Sequence, residues 1–299
     1  MFKIDVLLAT YNGEKYLEDQ LDSLFDQSYQ NFKIIARDDG STDNTVKLLE
    51  MYRAKYPKRL EIICDEKKGL GPKGNFLELI KYSKSDYVMF CDQDDVWLPH
   101  KIEVSLNKIK DIEKDKPALV HSDLKVVDKK LNVIDESFWK YQNINPEIKK
   151  TNRLIVQNNI TGCTVIINRK LKNLIAGRDF GNSLMHDWII AIVASLFGTI
   201  GSIEDQTILY RQHGGNDTGA KRWGLNYIFE KLRGKSLRKI IEDTRKQCKD
   251  IVRNFEVSSE IDGYANLDKM NYLSRKVHCI RYGFLKEGIV RNIIYLILV

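Results

Sequence analysis

The stretch IDVLLATYNG, from Ile4 to Gly13, decides the fold of this chain. Its first six residues are a short apolar run typical of a buried strand, and Thr10-Tyr11-Asn12-Gly13 supplies turn chemistry directly after it. Three further apolar runs follow at Phe32–Ala36, Leu60–Cys64 and Tyr87–Cys91. Helical spacing of apolar residues separates them, and we expect helices at about Glu14–Gln27, Asp43–Lys55 and Asn75–Tyr82, with a loop at Gly69–Gly74. This alternation predicts an α/β fold with a mainly parallel sheet covered by helices.

Polar clusters follow three of these strands at their carboxyl ends. Thr10-Tyr11-Asn12 comes after the first strand, Asp38-Asp39 after the second, and Asp92-Gln93-Asp94-Asp95 after the fourth. Sites in open α/β sheets lie beyond the carboxyl ends of the strands. We therefore expect the three clusters to meet at one edge of the sheet.

Composition excludes several classes of protein. The chain has 299 residues, 43% of them hydrophobic and 30% charged, which is typical of a globular protein with a large core. Its five cysteines are widely spaced and form no CxxC pair, which argues against a disulfide scaffold or a structural zinc site and favours the cytoplasm. No signal peptide is expected, and no stretch approaches the ~18 apolar residues that span a bilayer.

The basic residues are concentrated in the last part of the chain. Residues 219–299 hold 17 Lys and Arg against 9 Asp and Glu, a net charge of +8, whereas the first 218 residues carry −1. Strands are expected at Ala118–His121, Leu124–Val127 and Gly162–Ile167, and helices at His186–Phe197, Trp223–Leu232 and Leu237–Phe255. The glycines at 214–219 predict a junction. A basic, apolar helical region suits an anionic membrane surface, although a solvated helical face has the same pattern. No nucleic-acid signature accompanies the charge.

Four segments could carry chemistry, and each has a structural alternative. Asp38 and Asp39 could accept hydrogen bonds from a nucleobase or a ribose hydroxyl, or form a turn with an N-cap. Asp92, Asp94 and Asp95 suit Mg²⁺ or Mn²⁺, or form a solvated acidic turn. Asp187 could be a general base or an acid favoured by the dipole of its helix. In the polar segment 210–216, His213 could bind a metal and Arg211 a diphosphate, or both could be surface residues. GxGxxG and GxxxxGK[ST] motifs are absent, which disfavours dinucleotide and P-loop folds.

Taken together, the segments resemble a known family. VLLATYNG (6–13), RDDGSTD (37–43), KGNF (73–76) and DQDD with Trp97, in this order and spacing, are similar to family 2 of the nucleotide-sugar glycosyltransferases, which have the GT-A fold. Within that family the chain resembles bacterial rhamnosyltransferase-like enzymes of polysaccharide and O-antigen assembly. The resemblance covers residues 2–216, about 70% of the chain, and leaves 219–299 as a helical appendage to a catalytic domain at 1–218.

The resemblance implies a role for each matching residue. Donor-side contacts are expected from the strand ends and the loop after the third strand: Thr10, Tyr11, Asn12, Asp38, Asp39, Lys73, Asn75, Asp92, Gln93 and Arg211. Asp94 and His213 would bind the metal, Mn²⁺ or Mg²⁺. Asp187 would be the catalytic base. Many members have Glu-Asp where this chain has His186-Asp187, so the charge beside the base is an open question.

The implied function is an inverting, metal-dependent transfer of a sugar from a UDP- or dTDP-sugar to a hydroxyl of a lipid-linked glycan, in bacterial surface polysaccharide synthesis. The implied setting is the inner face of the cell membrane, reached through the C-terminal region, with a homodimer as a further expectation and no nucleic-acid partner. Two alternatives remain at this point. One is a sugar nucleotidyltransferase, although the glycine-rich, basic loop it needs is absent after the first strand. The other is a non-catalytic nucleotide-sugar-binding protein.

Overall fold

The computed structural model describes residues 3–214 and 236–299. The strands are β1 (Ile4–Thr10), β2 (Phe32–Asp38), β3 (Leu60–Ile63), β4 (Tyr87–Cys91), β5 (Val96–Trp97), β6 (Ala118–Val127), β7 (Val133–Asp135), β8 (Ile166–Asn168) and β9 (Thr199–Arg211). The helices are α1 (Leu17–Phe25), α2 (Thr45–Lys55), α3 (Gly71–Leu79), α4 (Lys101–Glu113), α5 (Phe138–Gln142), α6 (Thr151–Val156), α7 (Arg169–Ile175), α8 (His186–Phe197), α9 (Ser236–Asn254), α10 (Ser259–Ala265), α11 (Tyr272–Arg281) and α12 (Ile289–Leu298).

All of these strands belong to one mixed sheet in the order β3-β2-β1-β4-β8-β6-β9-β5, with β7 paired to β6. β1 is central and parallel to both neighbours, with Ile4 opposite Phe32 on β2 and Tyr87 on β4. β8 runs antiparallel to β4 and β6, whereas β6 and β9 are parallel. The predicted α/β architecture is confirmed, and the carboxyl ends of β1, β2 and β4 lie side by side.

The sheet is covered on both faces, which explains the unbroken apolar runs of its central strands. Leu7 on β1 and Phe90 on β4 pack in one apolar cluster with the inner face of α8. Val6 and Leu8, whose side chains point the other way, pack in a second cluster with α1 and α4. Burial on both faces therefore fixes the register of the strands that carry the site.

Helix α3 begins earlier than the sequence predicts. We expected a loop at Gly69–Gly74 and a helix from Asn75, but the helix runs from Gly71 to Leu79. Pro72 lies in the first turn, where a missing N–H is tolerated, and Gly71 has a φ of +68°. Lys73 and Gly74 are therefore helical residues rather than loop residues.

Two strand predictions in the middle of the chain were wrong. Residues 118–127 form one strand rather than two, and the expected gap coincides with an irregular register around Asp123. The expected strand at 162–167 is a 3₁₀ turn at Gly162–Thr164 followed by β8. The turn brings Gly162 against His186: a Cβ at Gly162 would lie 2.8 Å from His186 Nε2.

The C-terminal helices pack onto the rest of the chain. Cys248 and Ile251 on α9 and Tyr264 on α10 share the apolar cluster of α8 and α3. Asp250 on α9 accepts hydrogen bonds from Asn182 N (2.7 Å) and Nδ2 (2.8 Å). The expected helix at Trp223–Leu232 and the boundary at 218 lie outside the described residues. No helix within 3–214 or 236–299 is long and apolar enough to cross a membrane.

Candidate functional site

The three polar clusters meet at one edge of the sheet. Asp39 N donates a hydrogen bond to Thr10 O (2.9 Å), which joins the ends of β2 and β1. Tyr11 N donates to Gln93 Oε1, and Gln93 Nε2 donates to Tyr11 O, both at 2.8 Å, which joins the ends of β1 and β4. Through these two reciprocal hydrogen bonds, the side-chain amide of Gln93 holds the loops after β1 and β4 together.

These strand ends open into a cleft of about 990 Å³. Eight of the predicted site residues line it: Thr10, Tyr11, Asp39, Asn75, Asp92, Gln93, Asp94 and Asp187. The other five are absent from the lining: Asn12, Asp38, Lys73, Arg211 and His213. The cleft volume is near the top of the range of ~300–1,000 Å³ for small-molecule sites, so it has room for a large ligand.

Asp39 is buried at the start of α3, in a network with Arg37. Its Oδ1 accepts hydrogen bonds from Leu70 N (3.0 Å) and Arg37 Nη1 (3.1 Å), and its Oδ2 accepts one from Gly71 N (2.8 Å). Arg37 Nη1 also donates to Asn75 Oδ1 (3.0 Å). One network therefore holds both Asp39, which the resemblance assigns to the base or ribose of the donor, and Asn75, which it assigns to the donor-side loop.

Three of the predicted donor residues make contacts with the loops around the cleft. Asp38 Oδ2 accepts hydrogen bonds from the N–H groups of Gly40 and Ser41, which closes the turn after β2. Asn12, at a φ of +47°, accepts at Oδ1 from the N–H of residue 42 (2.8 Å). Lys73 Nζ donates to the carbonyl oxygens of residues 181 and 183 (2.9 and 2.8 Å). These side chains fix the loops around the cleft rather than line it.

Arg211 anchors the acidic loop after β4. Its backbone N donates to Asp95 Oδ1 (3.1 Å), its Nε to Asp94 O (2.9 Å), and its Nη2 to Asp19 Oδ2 (2.8 Å). The side chain is buried, whereas we expected it to meet a diphosphate. Its contacts explain how β9, which the sequence did not predict, holds the loop in place.

The predicted metal ligands are in direct contact. His213 Nε2 lies 2.7 Å from Asp94 Oδ2. Asp92, Asp95 and Cys163 also bring one ligand atom each within 4.8 Å of one another. Burial, and then the charges of Asp94 and Asp92, raise the pKa of Asp95 well above its ordinary value. Asp95 Oδ2 has no hydrogen-bond partner in the described part of the chain.

This donor set fits a divalent cation. Crowded carboxylates beside an imidazole suit Mg²⁺ or Mn²⁺, and a bound cation would relieve the mutual repulsion of Asp92, Asp94 and Asp95. Cys163 could not be identified from the sequence, because its side chain reaches the acidic loop from a turn some seventy positions later in the chain. Its thiol has a pKa raised by burial and is a soft donor, unlike the hard oxygen ligands beside it.

Asp187 lies in the first turn of α8 and is 8% exposed. Burial raises its pKa from 3.8 to about 7, against the opposing effect of hydrogen bonds from the N–H groups of Trp188 and Gly162 and from the side chain of Asn158. The Asn158 Nδ2 to Asp187 Oδ1 distance is 3.3 Å. A carboxyl group that lines a cleft and has a pKa near 7 has the properties of a general base.

His186 adds no charge beside Asp187 at neutral pH. Burial lowers its pKa to about 3. The ring packs against Phe76 (4.2 Å between centroids) and Phe90 (5.3 Å), and neither ring nitrogen has a hydrogen-bond partner in the described ranges. The neutral imidazole answers the open question of local charge and leaves an unpaired polar group at the wall of the cleft.

A family model described as glycosyl transferase family 2 matches residues 5–175. The chain is also 30% identical to a dTDP-rhamnosyl transferase, RfbG of Shigella flexneri, over 71% of this chain and 74% of that protein. This chain belongs to glycosyl transferase family 2. The membership confirms the resemblance seen in the motifs and establishes a glycosyltransferase rather than a sugar nucleotidyltransferase or a non-catalytic binding protein.

Two other proteins are similar to this family 2 enzyme. One is a β-1,3-glucosyltransferase of Escherichia coli, WfgD, named for UDP-glucose and α-D-GlcNAc-diphosphoundecaprenol, at 24% identity over 58% of this chain and 62% of that protein. The other is the S. aureus TarS 1–349 structure in complex with UDP-GlcNAc, with a TM-score of 0.61 and 20% identity. This structural match covers 88% of this chain and 70% of the TarS chain, and it supports the GT-A fold.

The glycosyltransferase cleft has a second wall that sequence reasoning missed. This wall is formed by α9, α12 and the segment between α11 and α12. The residues that line the cleft from this side are Leu237, Ile240, Ile241, Lys286, Arg291, Ile294, Tyr295 and Leu298. The sequence analysis expected helices in this region, but it did not show that one face of α12 borders the cleft. The expected role of this region was limited to membrane or oligomer contact.

Proposed function

We propose that this glycosyltransferase transfers a sugar from a UDP- or dTDP-sugar to a hydroxyl of a lipid-linked glycan, with inversion at the anomeric carbon, in bacterial surface polysaccharide synthesis. The observation that carries the proposal is the placement of Asp187, with a pKa of about 7, in the same cleft as Asp92 and Asp94. A base and a set of metal ligands facing one cavity are what direct displacement of a nucleoside diphosphate requires.

The donor half of the cleft is formed by the strand ends. Thr10, Tyr11, Asp39 and Asn75 would contact the nucleoside, and Gln93 would hold the two loops around it. The relative RfbG is named for a dTDP-linked sugar and WfgD for a UDP-linked one, so both bases are candidates here. The hydrogen bonds from Arg37 and from the N–H of Leu70 hold Asp39 in place for its contact with the base or ribose.

Asp94 and His213 would hold Mn²⁺ or Mg²⁺, with Asp92 beside them facing the ribose or sugar. Such a cation, when bound, stabilises negative charge on a departing diphosphate as a Lewis acid. Arg211 would act through the loop, because its contacts with Asp94 O and Asp95 keep the carboxylates in place.

Asp187 would accept the proton of the attacking hydroxyl. A base with a pKa near 7 is deprotonated in a large fraction of molecules at neutral pH and still accepts a proton readily. A single displacement from the face opposite the diphosphate inverts the anomeric centre, by the logic of inverting glycosidases. No covalent intermediate is required, so a second carboxylate acting as nucleophile is unnecessary.

We also propose that the C-terminal region, residues 219–299, binds the cytoplasmic face of the cell membrane beside a catalytic domain at 1–218. Large apolar side chains are exposed on α11 and α12: Tyr272, Leu273, Val277, Ile280, Ile289, Val290, Ile293 and Ile297. Ile289 is 80% exposed. This apolar surface lies within the region of net charge +8, and basic amphipathic helices bind anionic lipid surfaces.

Flotation with anionic vesicles tests the membrane proposal. Leu273→Ser with Ile289→Ser should reduce the bound fraction severalfold, because each change removes an exposed apolar side chain without touching the core. Val46→Ser, an exposed apolar residue on α2, is the matched control and should float like the wild type. Vesicle binding unaffected by the double change, with loss of a dimer in sedimentation instead, would assign this face to a second copy of the chain.

Calorimetry tests the transferase proposal. UDP, dTDP and GDP are titrated into the protein with and without Mn²⁺, and the nucleotide that binds is then offered as its sugar conjugate. Metal-dependent turnover of that nucleotide sugar without added nucleoside triphosphate supports the proposal. Absence of nucleotide binding and of metal-dependent donor hydrolysis would reject it.

A further inference from the structure

The side chain of Tyr16, directly before α1, contacts two residues at the end of β9. Its ring lies 4.7 Å from the imidazole ring of His213, measured between centroids, at an interplanar angle of 33°. The guanidinium carbon of Arg211 lies 4.5 Å from the centroid of the same Tyr16 ring. Arg211 ends β9 and His213 follows two positions later, and side chains two positions apart point to one side of an extended chain. One ring therefore contacts two residues whose side chains both touch Asp94.

The backbone around Tyr16 fixes the position of its ring. Tyr16 N donates to Gly13 O (3.1 Å), at the end of the turn after β1, and Tyr16 O accepts a hydrogen bond from Gln20 N (3.2 Å) in α1. One turn along the helix, Asp19 Oδ2 accepts a hydrogen bond from Arg211 Nη2 (2.8 Å). The start of α1 thus meets the end of β9 through an ion pair and an aromatic contact. These contacts connect the turn after β1 to the segment that carries His213.

Tyr16 contributes to the site through its ring rather than through its hydroxyl group. The residue is 8% exposed and is absent from the described residues that line the cleft. Its hydroxyl oxygen has no hydrogen-bond partner among residues 3–214 and 236–299. Direct contact with a donor in the cleft is therefore not the role that this position favours.

The contact between His213 and Asp94 uses the two atoms that a cation would take. His213 Nε2 lies 2.7 Å from Asp94 Oδ2, and a cation held by both atoms would replace this hydrogen bond. The aromatic contact with Tyr16 needs neither the proton nor the lone pair of Nε2. It can therefore hold the imidazole ring beside Asp94 both with and without a bound cation.

From these contacts we infer that Tyr16 is a positioning residue for the metal: its ring holds the imidazole of His213 beside Asp94 and thereby strengthens the binding of Mn²⁺. The inference rests on the proposed function, and it adds a residue outside the cleft to the metal site proposed there. Groups that orient a metal-ligating side chain typically change metal affinity by about 10- to 100-fold. An aromatic contact is weaker than a hydrogen bond to a charged group, so we expect an effect of about tenfold.

Mn²⁺ binding by the full chain tests the inference, measured from the electron paramagnetic resonance signal of free Mn²⁺, with and without UDP or dTDP. Tyr16→Leu removes the ring and should weaken Mn²⁺ binding by about tenfold. The buried leucines of α1 hold the helix on the sheet, so this variant should fold. Tyr16→Phe keeps the ring and should bind like the wild type. Unchanged affinity in Tyr16→Leu, or an equal loss in Tyr16→Phe, would overturn the inference.

A second tyrosine–histidine contact in the chain supplies the matched control. The rings of Tyr282 and His278 lie 4.8 Å apart, and neither residue belongs to the described lining of the cleft. Tyr282→Leu therefore removes a comparable aromatic contact at a distance from the metal ligands, and its affinity for Mn²⁺ should equal that of the wild type. An equal loss in Tyr282→Leu and Tyr16→Leu would show a general effect on the fold and would overturn the inference.

A measurement on metal-free protein separates positioning from a general loss of stability. The chain has five histidines, so the Cε1–H signal of His213 in ¹³C-labelled protein can be assigned from its disappearance in His213→Gln. Because the Tyr16 ring lies close to the imidazole, this signal should move in Tyr16→Leu and stay in place in Tyr16→Phe. The other histidine signals should stay in place in both variants. An unmoved His213 signal in Tyr16→Leu, or movement of every histidine signal, would overturn the inference.

The behaviour of the wild type distinguishes failure of this inference from failure of the proposed function. Mn²⁺ binding that Tyr16→Leu leaves unchanged would remove only the role of Tyr16. A wild type that binds Mn²⁺ neither alone nor with UDP or dTDP would reject the metal site of the proposed function, and the role of Tyr16 with it. Affinity for UDP without Mn²⁺ should be equal in wild type and Tyr16→Leu, because Tyr16 does not line the cleft. A loss of that affinity would overturn the inference.

Discussion

Asp187→Asn should stabilise the folded protein while removing nearly all transfer activity. The folded environment raises the pKa of Asp187 from 3.8 to about 7 because the carboxyl group is buried. Each pKa unit corresponds to about 1.4 kcal/mol, so keeping this carboxylate charged costs the folded state up to about 4 kcal/mol. Asparagine has a similar shape, accepts the hydrogen bond from Asn158, and never ionises.

The pH dependence has a defined sign. Below about pH 4 the carboxyl is protonated in both the folded and the unfolded chain, so ionisation costs nothing. Between about pH 4 and 7 the unfolded chain loses this proton and the folded chain keeps it, which lowers the stability of the wild type. Above about pH 7 both states are charged, and the full cost is constant. The advantage of the variant should therefore grow from pH 4 to 7 and then level off.

Urea unfolding of nucleotide-free protein, followed by tryptophan fluorescence at several pH values, measures this difference. Asp111→Asn on α4 is the control, because this exposed carboxylate should give a difference from wild type that is small at every pH. In parallel, donor binding by Asp187→Asn should match wild type while transfer falls by about 10²–10⁴-fold, the usual contribution of a general base. A stability difference that does not change between pH 4 and 7 would refute the burial argument, and wild-type turnover would remove Asp187 from the role.

Three further changes test the geometry around the base and the donor half. Asp94→Ala should weaken nucleotide binding in the presence of Mn²⁺ by more than about tenfold and have little effect without it, as calorimetry would show; equal affinity would exclude a metal here. Gly162→Ala should lower transfer at least severalfold, because the new Cβ would lie 2.8 Å from His186 Nε2 and would displace the residue next to Asp187. Unchanged turnover would show that the His186 ring can move away without disturbing Asp187. Arg37→Leu should lower the free energy of unfolding by about 3–5 kcal/mol in urea titrations, since it leaves the buried carboxylate of Asp39 without its ion pair; a loss below 1 kcal/mol would contradict this.

The sheet could be predicted because its strands are apolar on both faces. β1, β2 and β4 begin and end within a residue or two of the predicted limits, and the polar clusters follow directly at their carboxyl ends. That order is enough to bring Thr10, Asp39 and Asp92 into one cleft. A continuous apolar run can be recognised as a buried strand without knowing its neighbours in the sheet, because burial on both faces makes every residue of the run apolar.

Five of the thirteen predicted site residues do not line the cleft, and the sequence could not separate these five from the other eight. Lys73 and Arg211 have the charge expected of diphosphate ligands, but backbone carbonyl oxygens and the side chain of Asp19 take up their donors. Such partners come from loops distant in sequence, and composition at one position does not reveal them. Cys163 illustrates the reverse case, because only the 3₁₀ turn that brings it beside Asp95 makes it a neighbour of the acidic loop.

The second wall of the cleft also changes how the C-terminal region should be tested. From the sequence, deletion of residues 222–299 is the obvious way to ask whether the tail binds membrane. In the structure this region supplies Cys248, Ile251 and Tyr264 to the core beside α8, so the deletion would expose the apolar side of α8 and destabilise the enzyme whatever the tail does. Loss of vesicle binding by the deleted chain would therefore carry no information about the membrane. The adjacent pair Ile293 and Ile294 separates the two roles of this region, because one faces outward and the other faces the cleft.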